Sequence, residues 1–365
     1  MPAELLFARY HPVDLEPKNS IGAKWLRLLD KLPLKSIVEK KRTAIKVHLG
    51  GGTGFTTVHP FFLRKLVEKV KAAGAREVFL TDTAGSVFSA HERGYSRDTI
   101  GCMLIPAAGV SDRYLYKRPI KPAFKSLKEV ELAGEIVDAE ALIDVSHVKG
   151  HGACGFGGAS KNLSMGCVTG RTRGAIHALE GGLVWSKRKC THCGACVRNC
   201  PNHAMSFNQK RELNVFYHNC KLCQHCVLLC PQKGIKMLGG AYRDFQRGMA
   251  LATTEVLKGF DKKHRLFINF LTNITVYCDC WGMTTPALVP DVGILAGQEI
   301  VAIEQASLDM IRTENLIPGT LPQGVQLREK GHLFERIHGK DPFAVLEYLE
   351  ALKQGSRKYK VSEVV

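Results

Sequence analysis

The chain has no run of about eighteen consecutive apolar residues, so it offers no helix able to cross a bilayer. Its opening, Met1-Pro2-Ala3-Glu4-Leu5-Leu6, lacks the basic start and apolar stretch of a secretory leader. The expected compartment is therefore the reducing cytoplasm. Acidic residues are scarce: 34 Asp+Glu stand against 51 Lys+Arg, a formal net charge of +17. The basic residues form no low-complexity arm and do not interleave with aromatics, so no specific nucleic-acid recognition is expected. No G-x-x-x-x-G-K-[ST] run occurs, which excludes a P-loop. The turn Gly50-Gly51-Gly52-Thr53-Gly54 fails the dinucleotide fingerprint, because Phe55 or Thr57 falls at the third glycine position. Hydrophobic and charged fractions of 45% and 23% are ordinary, which excludes wholesale disorder.

Cysteine, in contrast, is abundant. There are 13, unevenly placed. Most lie between Cys190 and Cys230; the rest are Cys102, Cys154, Cys167, Cys278 and Cys280. In a reducing compartment such a density points to metal binding rather than disulfides. The spacing is Cys190-x2-Cys193-x2-Cys196-x3-Cys200-Pro201, and it recurs as Cys220-x2-Cys223-x2-Cys226-x3-Cys230-Pro231. Zinc ribbons use two separated pairs, which this is not. The doubled run resembles bacterial-type ferredoxin domains over residues 183–238 and implies two [4Fe–4S] clusters. Three closely spaced thiolates hold three irons of one cubane, and the fourth cysteine crosses to the other. Cluster one then takes Cys190, Cys193, Cys196 and Cys230. Cluster two takes Cys220, Cys223, Cys226 and Cys200.

The flanks read as α/β. Residues 43–49 form a short β-rich strand, and Phe62, Leu63, Leu66, Val67 and Val70 recur at helical spacing behind Pro60. Residues 77–81 give a second strand, so this is a βαβ unit with a parallel sheet. Further strands are expected at 141–145 and 292–296, with one or two within 266–278 ending at Cys278, and helices at 241–258, 299–312 and 343–353. The predicted fold is a mostly parallel sheet with flanking helices, interrupted by a small inserted α+β two-cluster ferredoxin domain. Its divisions are 1–182 and 239–365 for the α/β part and 183–238 for the insert.

The segment from His147 to Cys167 concentrates chemistry. His147 and His151 suit proton transfer or metal ligation, and Lys149 and Lys161 suit an anionic substrate. Gly157 and Gly158, like Gly50, Gly52 and Gly54, would let backbone N–H groups approach a cofactor. Cys278 and Cys280, on extended chain, would face the same way, and with Cys154 and Cys167 they are candidates for a further metal or cluster. Asp82 and Asp291 lie near strand ends, where either catalysis or capping of the next helix is the reading. Ligands in open parallel sheets bind beyond the carboxyl ends of the strands, so His48 with Gly50–Gly54, Asp82, the His147–Lys161 loop and Cys278–Cys280 should converge on one edge.

His147-Val-Lys-Gly-His151, Gly155-Phe-Gly-Gly-Ala-Ser-Lys-Asn162, Met165-Gly-Cys167, Cys278-Asp-Cys280 and Asp291-Val-Gly-Ile-Leu-Ala296 together resemble the DUF362 family. That resemblance implies an iron–sulfur centre protein and supplies no substrate. Where the family has Asp-Pro after the Asp291 strand, this chain has Gln298-Glu299. The α/β part is similar, more distantly, to nickel-dependent lactate racemases, whose catalytic set is not found here. The expectation is an iron–sulfur protein relaying single electrons to or from a cleft in the α/β part, serving a redox protein partner or a small anionic substrate. A non-enzymatic electron-transfer subunit or a metal- or cofactor-handling protein is the alternative.

Overall fold

The computed structural model describes residues 2–200, 203–216, 220, 225–237, 242–322, 325 and 327–364. An eight-stranded sheet carries the molecule. Its strands are β1 (Ala3–Arg9), β2 (Arg42–Val47), β3 (Glu77–Asp82), β4 (Met103–Pro106), β5 (Ala141–His147), β6 (Arg265–Leu271), β7 (Gly293–Gly297) and β8 (Tyr359–Glu363). In space they lie in the order β8-β1-β7-β6-β5-β2-β3-β4. Only β7 runs against its neighbours, so the sheet is mostly parallel, as expected.

The helices of eight or more residues among the described ones are α1 (Ile21–Lys31), α2 (Pro60–Ala72), α3 (Ala159–Gly166), α4 (Gly170–Leu179), α5 (Tyr242–Leu257), α6 (Ile300–Met310) and α7 (Ala344–Ala351). None is long and apolar enough to cross a membrane. Strand alternation sends Ile45, Val47, Ile143, Val145 and Ile268 to one face, where Trp25 and Leu28 of α1 and Leu63, Leu66 and Val70 of α2 cover them. The opposite face, with Ala44, Leu142 and Phe267, packs against α3, α5, α6 and α7 through Leu163, Phe245, Met249, Ile303 and Leu346. Each fully buried Leu, Ile, Val, Phe or Met side chain contributes about 1.5–3 kcal/mol.

The α3 face also carries Lys46, Asp144, Ser146 and Asn269, all at 1% exposure or less. The facing helix α3 is buried at all eight positions, Ser160, Lys161, Asn162 and Ser164 included. Polar groups buried on both sides of one interface must satisfy each other, and that demand builds the site.

The predicted strands and helices are present with small shifts of their ends. One difference bears on function. The strand expected to reach Cys278 stops at Leu271. Asn273 turns the chain into the left-handed region at φ 48°, and Asp291 Oδ1 accepts its N–H. Cys278 then opens a single 3-10 turn, Asp279–Trp281. Asp291 is thus a turn-capping group. The glycine-rich stretch after β5 is a buried hairpin, Lys149–His151 against Gly155–Gly157.

Residues 183–185 pair antiparallel with 235–237 and close off the cysteine-rich segment. A second hairpin (205–207 with 213–215) and two one-turn helices (Ala195–Arg198 and His225–Leu228) fill it. Its own small core contains Cys196, Met205, Cys226 and Ile235.

Candidate active site at the carboxyl edge of the sheet

Strands β2, β3, β5 and β6 are parallel, so their carboxyl ends share one edge. Lys46 Nζ is 3.0 Å from Asp82 Oδ1, and Asn162 Oδ1 accepts a second hydrogen bond from it. Asn162 Nδ2 donates to Asp144 Oδ1 at 2.9 Å and to Val145 O at 3.1 Å, tying α3 to the strand ends. His48 Nδ1 is 3.1 Å from Asp82 Oδ2, which also accepts Leu49 N–H at 2.9 Å. Burial alone would raise the Asp82 pKa; Lys46 and His48 outweigh it and hold the carboxyl well below its usual range. At Asp144 burial outweighs the Ser146 and Asn162 hydrogen bonds and the Lys46 and Lys149 charges, and at Glu304 it outweighs the hydrogen bonds from the start of α3, so both carboxyls are pushed up to about 7.

A second buried carboxylate, Asp279, gathers the hairpin. His147 Nδ1 is 2.9 Å and Lys149 Nζ 3.1 Å from its Oδ2, and Thr56 donates to Oδ1 at 3.1 Å. Nε2 of His147 faces Thr272 O at 2.8 Å. Burial opposes ionisation of Asp279, but the Lys149 and His147 charges hold its pKa far below normal.

The two thiols come together through the 3-10 turn. Lys161 Nζ lies 3.3 Å from Cys278 Sγ and 3.5 Å from Cys280 Sγ. Cys280 N–H points at Cys278 Sγ at 3.5 Å. Burial raises the pKa of Cys278. Against the same burial, the Cys278 hydrogen bond and the Lys161 and Lys149 charges bring Cys280 down to about 6. His151 Nδ1 accepts Ala153 N–H at 3.1 Å, which places the ring proton on Nε2, 3.8 Å from Cys280 Sγ. An imidazole nitrogen of His48 and the sulfurs of Cys278 and Cys280 lie within 4.8 Å of one another.

A cleft of about 550 Å³ opens over this group, lined by His48, Gly50, Gly52, Lys161, Arg173 and Cys280 among others. Val215 and Phe216 of the cysteine-rich segment form part of its wall. Of the four residues expected to act in catalysis, Lys161 lines the cleft and His151 lies beside Cys280. His147 and Lys149 sit behind, against Asp279, and line a smaller recess with Gly157 and Gly158. Gly54 packs on the Met283 backbone, and Gly52 (φ +51°) meets Gly282, where an added Cβ would fall 2.6 Å from a carbonyl oxygen. Of the remaining cysteines, Cys154 gives its hydrogen bond to Phe156 O at 3.0 Å and flanks His151. Cys167 lies in the electrostatic neighbourhood of Lys46, Asp144 and Asp82.

Sequence reasoning overlooked Lys46, Asn162, Asp279 and Glu304. Lys46 had a signal, a lone charge inside the strand Thr43-Ala-Ile-Lys-Val47.

In the cysteine-rich segment, Cys190, Cys193, Cys196 and Cys230 surround one cavity, with Trp185, Phe207 and Ile235. Backbone N–H groups point at the sulfurs: His192 at Cys190 (3.4 Å), Ala204 at Cys200 (3.2 Å) and Gly234 at Cys230 (3.2 Å). The Ala195 N–H lowers the Cys193 pKa. Cys200, Cys226 and Cys230 share the small core, while Cys223, expected to serve cluster two, and Pro201 lie outside the described residues.

The sequence matches the family model described as "Domain of unknown function (DUF362)" over residues 43–309. A ferredoxin of Pyrobaculum islandicum is 37% identical over 46 residues, 13% of this chain and 43% of that ferredoxin. Among solved structures, a Thermotoga maritima protein aligns with TM-score 0.37 and 12% identity, over 72% of this chain and 52% of its own. The lactate racemase apoprotein of Thermoanaerobacterium thermosaccharolyticum gives 0.32 and 12%, over 69% and 49%. The chain thus spans about half or less of each of these relatives.

Proposed function

The chain belongs to the DUF362 family, which carries no assigned activity, and on that footing we propose that it is an iron–sulfur redox protein whose two-cluster segment serves the cleft at the sheet edge. The observation that supports this most is the cavity ringed by Cys190, Cys193 and Cys196 from the first run and Cys230 from the second. That interlocking is what a paired-cubane arrangement requires. Backbone N–H groups directed at the sulfurs suit anionic, thiolate-ligated clusters. In this reading the first [4Fe–4S] cluster is held by Cys190, Cys193, Cys196 and Cys230. The second is held by Cys220, Cys223, Cys226 and Cys200. When bound, each supplies one reversible single-electron carrier.

Residues 183–238 form the ferredoxin-type insert, and 1–182 with 239–365 form the α/β part. Phe216 links them: it lines the cleft, and its carbonyl accepts Cys220 N–H at 3.1 Å. The second cluster site therefore borders the cleft. Lys161 and Arg173 give that cleft a cationic wall for a small anionic substrate. His151, with its proton on Nε2 beside Cys280, is placed to move a proton. A redox protein meeting the cysteine-rich segment is the matching electron partner, and the cysteine content suits the reducing cytoplasm.

Iron and acid-labile sulfide analysis of anaerobically purified protein tests this reading. About eight of each per chain is expected. Zinc without sulfide, in protein never exposed to oxygen, overturns it.

A further inference from the structure

We propose that the carboxyl edge of the sheet binds one thiophilic transition-metal ion of the zinc type, held by His48, Cys278 and Cys280 and separate from the clusters. The donor atoms are already gathered within 4.8 Å of one another. A tetrahedral ion with bonds of about 2.3 Å to sulfur and about 2.0 Å to nitrogen needs donor separations of about 3.5–3.8 Å, so a contraction of at most about 1.3 Å completes the set.

The surroundings are those of a metal site. Asp82 takes the Nδ1 side of His48 at 3.1 Å. The other ring nitrogen, Nε2, is buried and has no hydrogen-bond partner among the described residues. A carboxylate behind a histidine fixes the tautomer that presents a lone pair to a metal. Lys161 Nζ and Cys280 N–H supply N–H···S contacts at 3.3–3.5 Å, and His151 Nε2 lies 3.8 Å from Cys280 Sγ, which tempers the charge of two thiolates. Two sulfurs and one imidazole select a soft or borderline ion over magnesium or calcium. Among the described residues no further cysteine joins this donor group, and Cys154 is engaged with Phe156 O. Three protein ligands leave one position, and because His48 and Cys280 line the cleft it faces that space. Water or an oxygen of an anionic substrate would fill it, as in catalytic rather than structural zinc sites.

The test uses the full chain with its iron content measured. One equivalent of zinc is added anaerobically, unbound metal is removed, and zinc is followed by elemental analysis and Zn K-edge EXAFS. The expected result is one zinc per chain, with two sulfurs at about 2.3 Å and nitrogen or oxygen at about 2.0 Å. Cys278→Ser with Cys280→Ser abolishes retention without lowering iron. Asp82→Asn weakens affinity about 10–100-fold. His48→Cys, which replaces one zinc ligand by another, retains zinc and shows a third sulfur; this separates ligation from mere folding. A four-sulfur shell, which would place zinc on the ferredoxin-type cysteines, overturns the proposal. So does wild type that keeps no zinc, or a double variant that keeps it. Iron content tests the cluster reading separately, so the two can fail independently.

Discussion

Glu304 shows what a single buried carboxyl does here. It sits on α6 at 0% exposure, and its Oε1 accepts the Ser160 N–H at 3.1 Å, near the start of α3. Oε2 has no partner among the described residues. An added Cβ at Gly158 would fall 2.3 Å from Oε1, so that glycine is needed for packing. Burial raises the Glu304 pKa to about 7. The folded state therefore keeps a proton that the unfolded chain has lost, and stability falls as pH rises from about 4.5 to 7 and is flat above. The substitution Glu304→Gln keeps the acceptor and removes the ionisable group. It should gain on wild type by about 2–3 kcal/mol between pH 5 and pH 8. Paired anaerobic melts at those pH values check this, and a gap that does not change with pH contradicts it. Asp82 and Asp279, with lowered pKa values, act in the opposite sense: their contribution is present above about pH 4 and is lost on acidification.

At the level of elements, α3 is the piece that sequence reasoning could not see. Glycines at 155, 157 and 158 crowd its approach and Gly166 stands at its end, so nothing in the sequence marks a helix there. Its helical state comes from tertiary bonds: Glu304 at the start, and Asn162 against Lys46 and Asp144 in the middle. The thiol turn was hidden for the opposite reason. Ile274, Val276 and Cys278 alternate like a strand, and nothing in the sequence announced the turn at Asn273. The convergence on one edge was legible because it follows from parallel topology alone: His48, Asp82, His147 and Lys161 each come after a recognisable strand. Two glycine substitutions, one in α3 and one in α4 as its reference, should shift stability with opposite signs. In Gly166→Ala the new Cβ falls 1.9 Å from Lys46 Cε, and Lys46, 0% exposed and bonded to Asp82, has nowhere to go. A loss of about 3 kcal/mol is expected, although Ala is the better helix former. Gly174→Ala on α4 meets no atom within 4 Å and should gain about 0.5–1 kcal/mol. Denaturant midpoints measured side by side decide both signs; equal shifts would mean that the clash at Lys46 is relieved by backbone movement.

For the whole molecule the question is how far the cysteine-rich segment and the sheet depend on each other. The chain leaves and returns through one antiparallel pair, Trp185 opposite Ile235, with Ser186 N–H donating to Gly234 O at 2.8 Å. The segment's apolar groups form their own small core, apart from the two cores on the sheet faces. It also carries a large share of the net charge: residues 187–233 contain eight Lys or Arg and one Glu. Without anionic clusters that crowding of like charge would oppose compaction. The sheet, by contrast, owns the Asp82 and Asp279 networks, with no cysteine of the doubled run among their partners in the described residues. Replacing 187–233 by an Asn-Gly turn suits the existing strand pair, because two-residue turns of that type match hairpin twist. The trimmed chain should keep the circular dichroism of an α/β protein and lose all acid-labile sulfide. It should still bind one zinc in a two-sulfur shell, since His48, Cys278 and Cys280 all lie outside the excised stretch. It should also lose the part of the cleft wall made by Val215 and Phe216, so any anion held against Lys161 and Arg173 should bind more weakly. If the trimmed chain fails to fold, the segment is a structural part of the α/β unit, and the cleft cannot be treated as a site that the clusters merely serve.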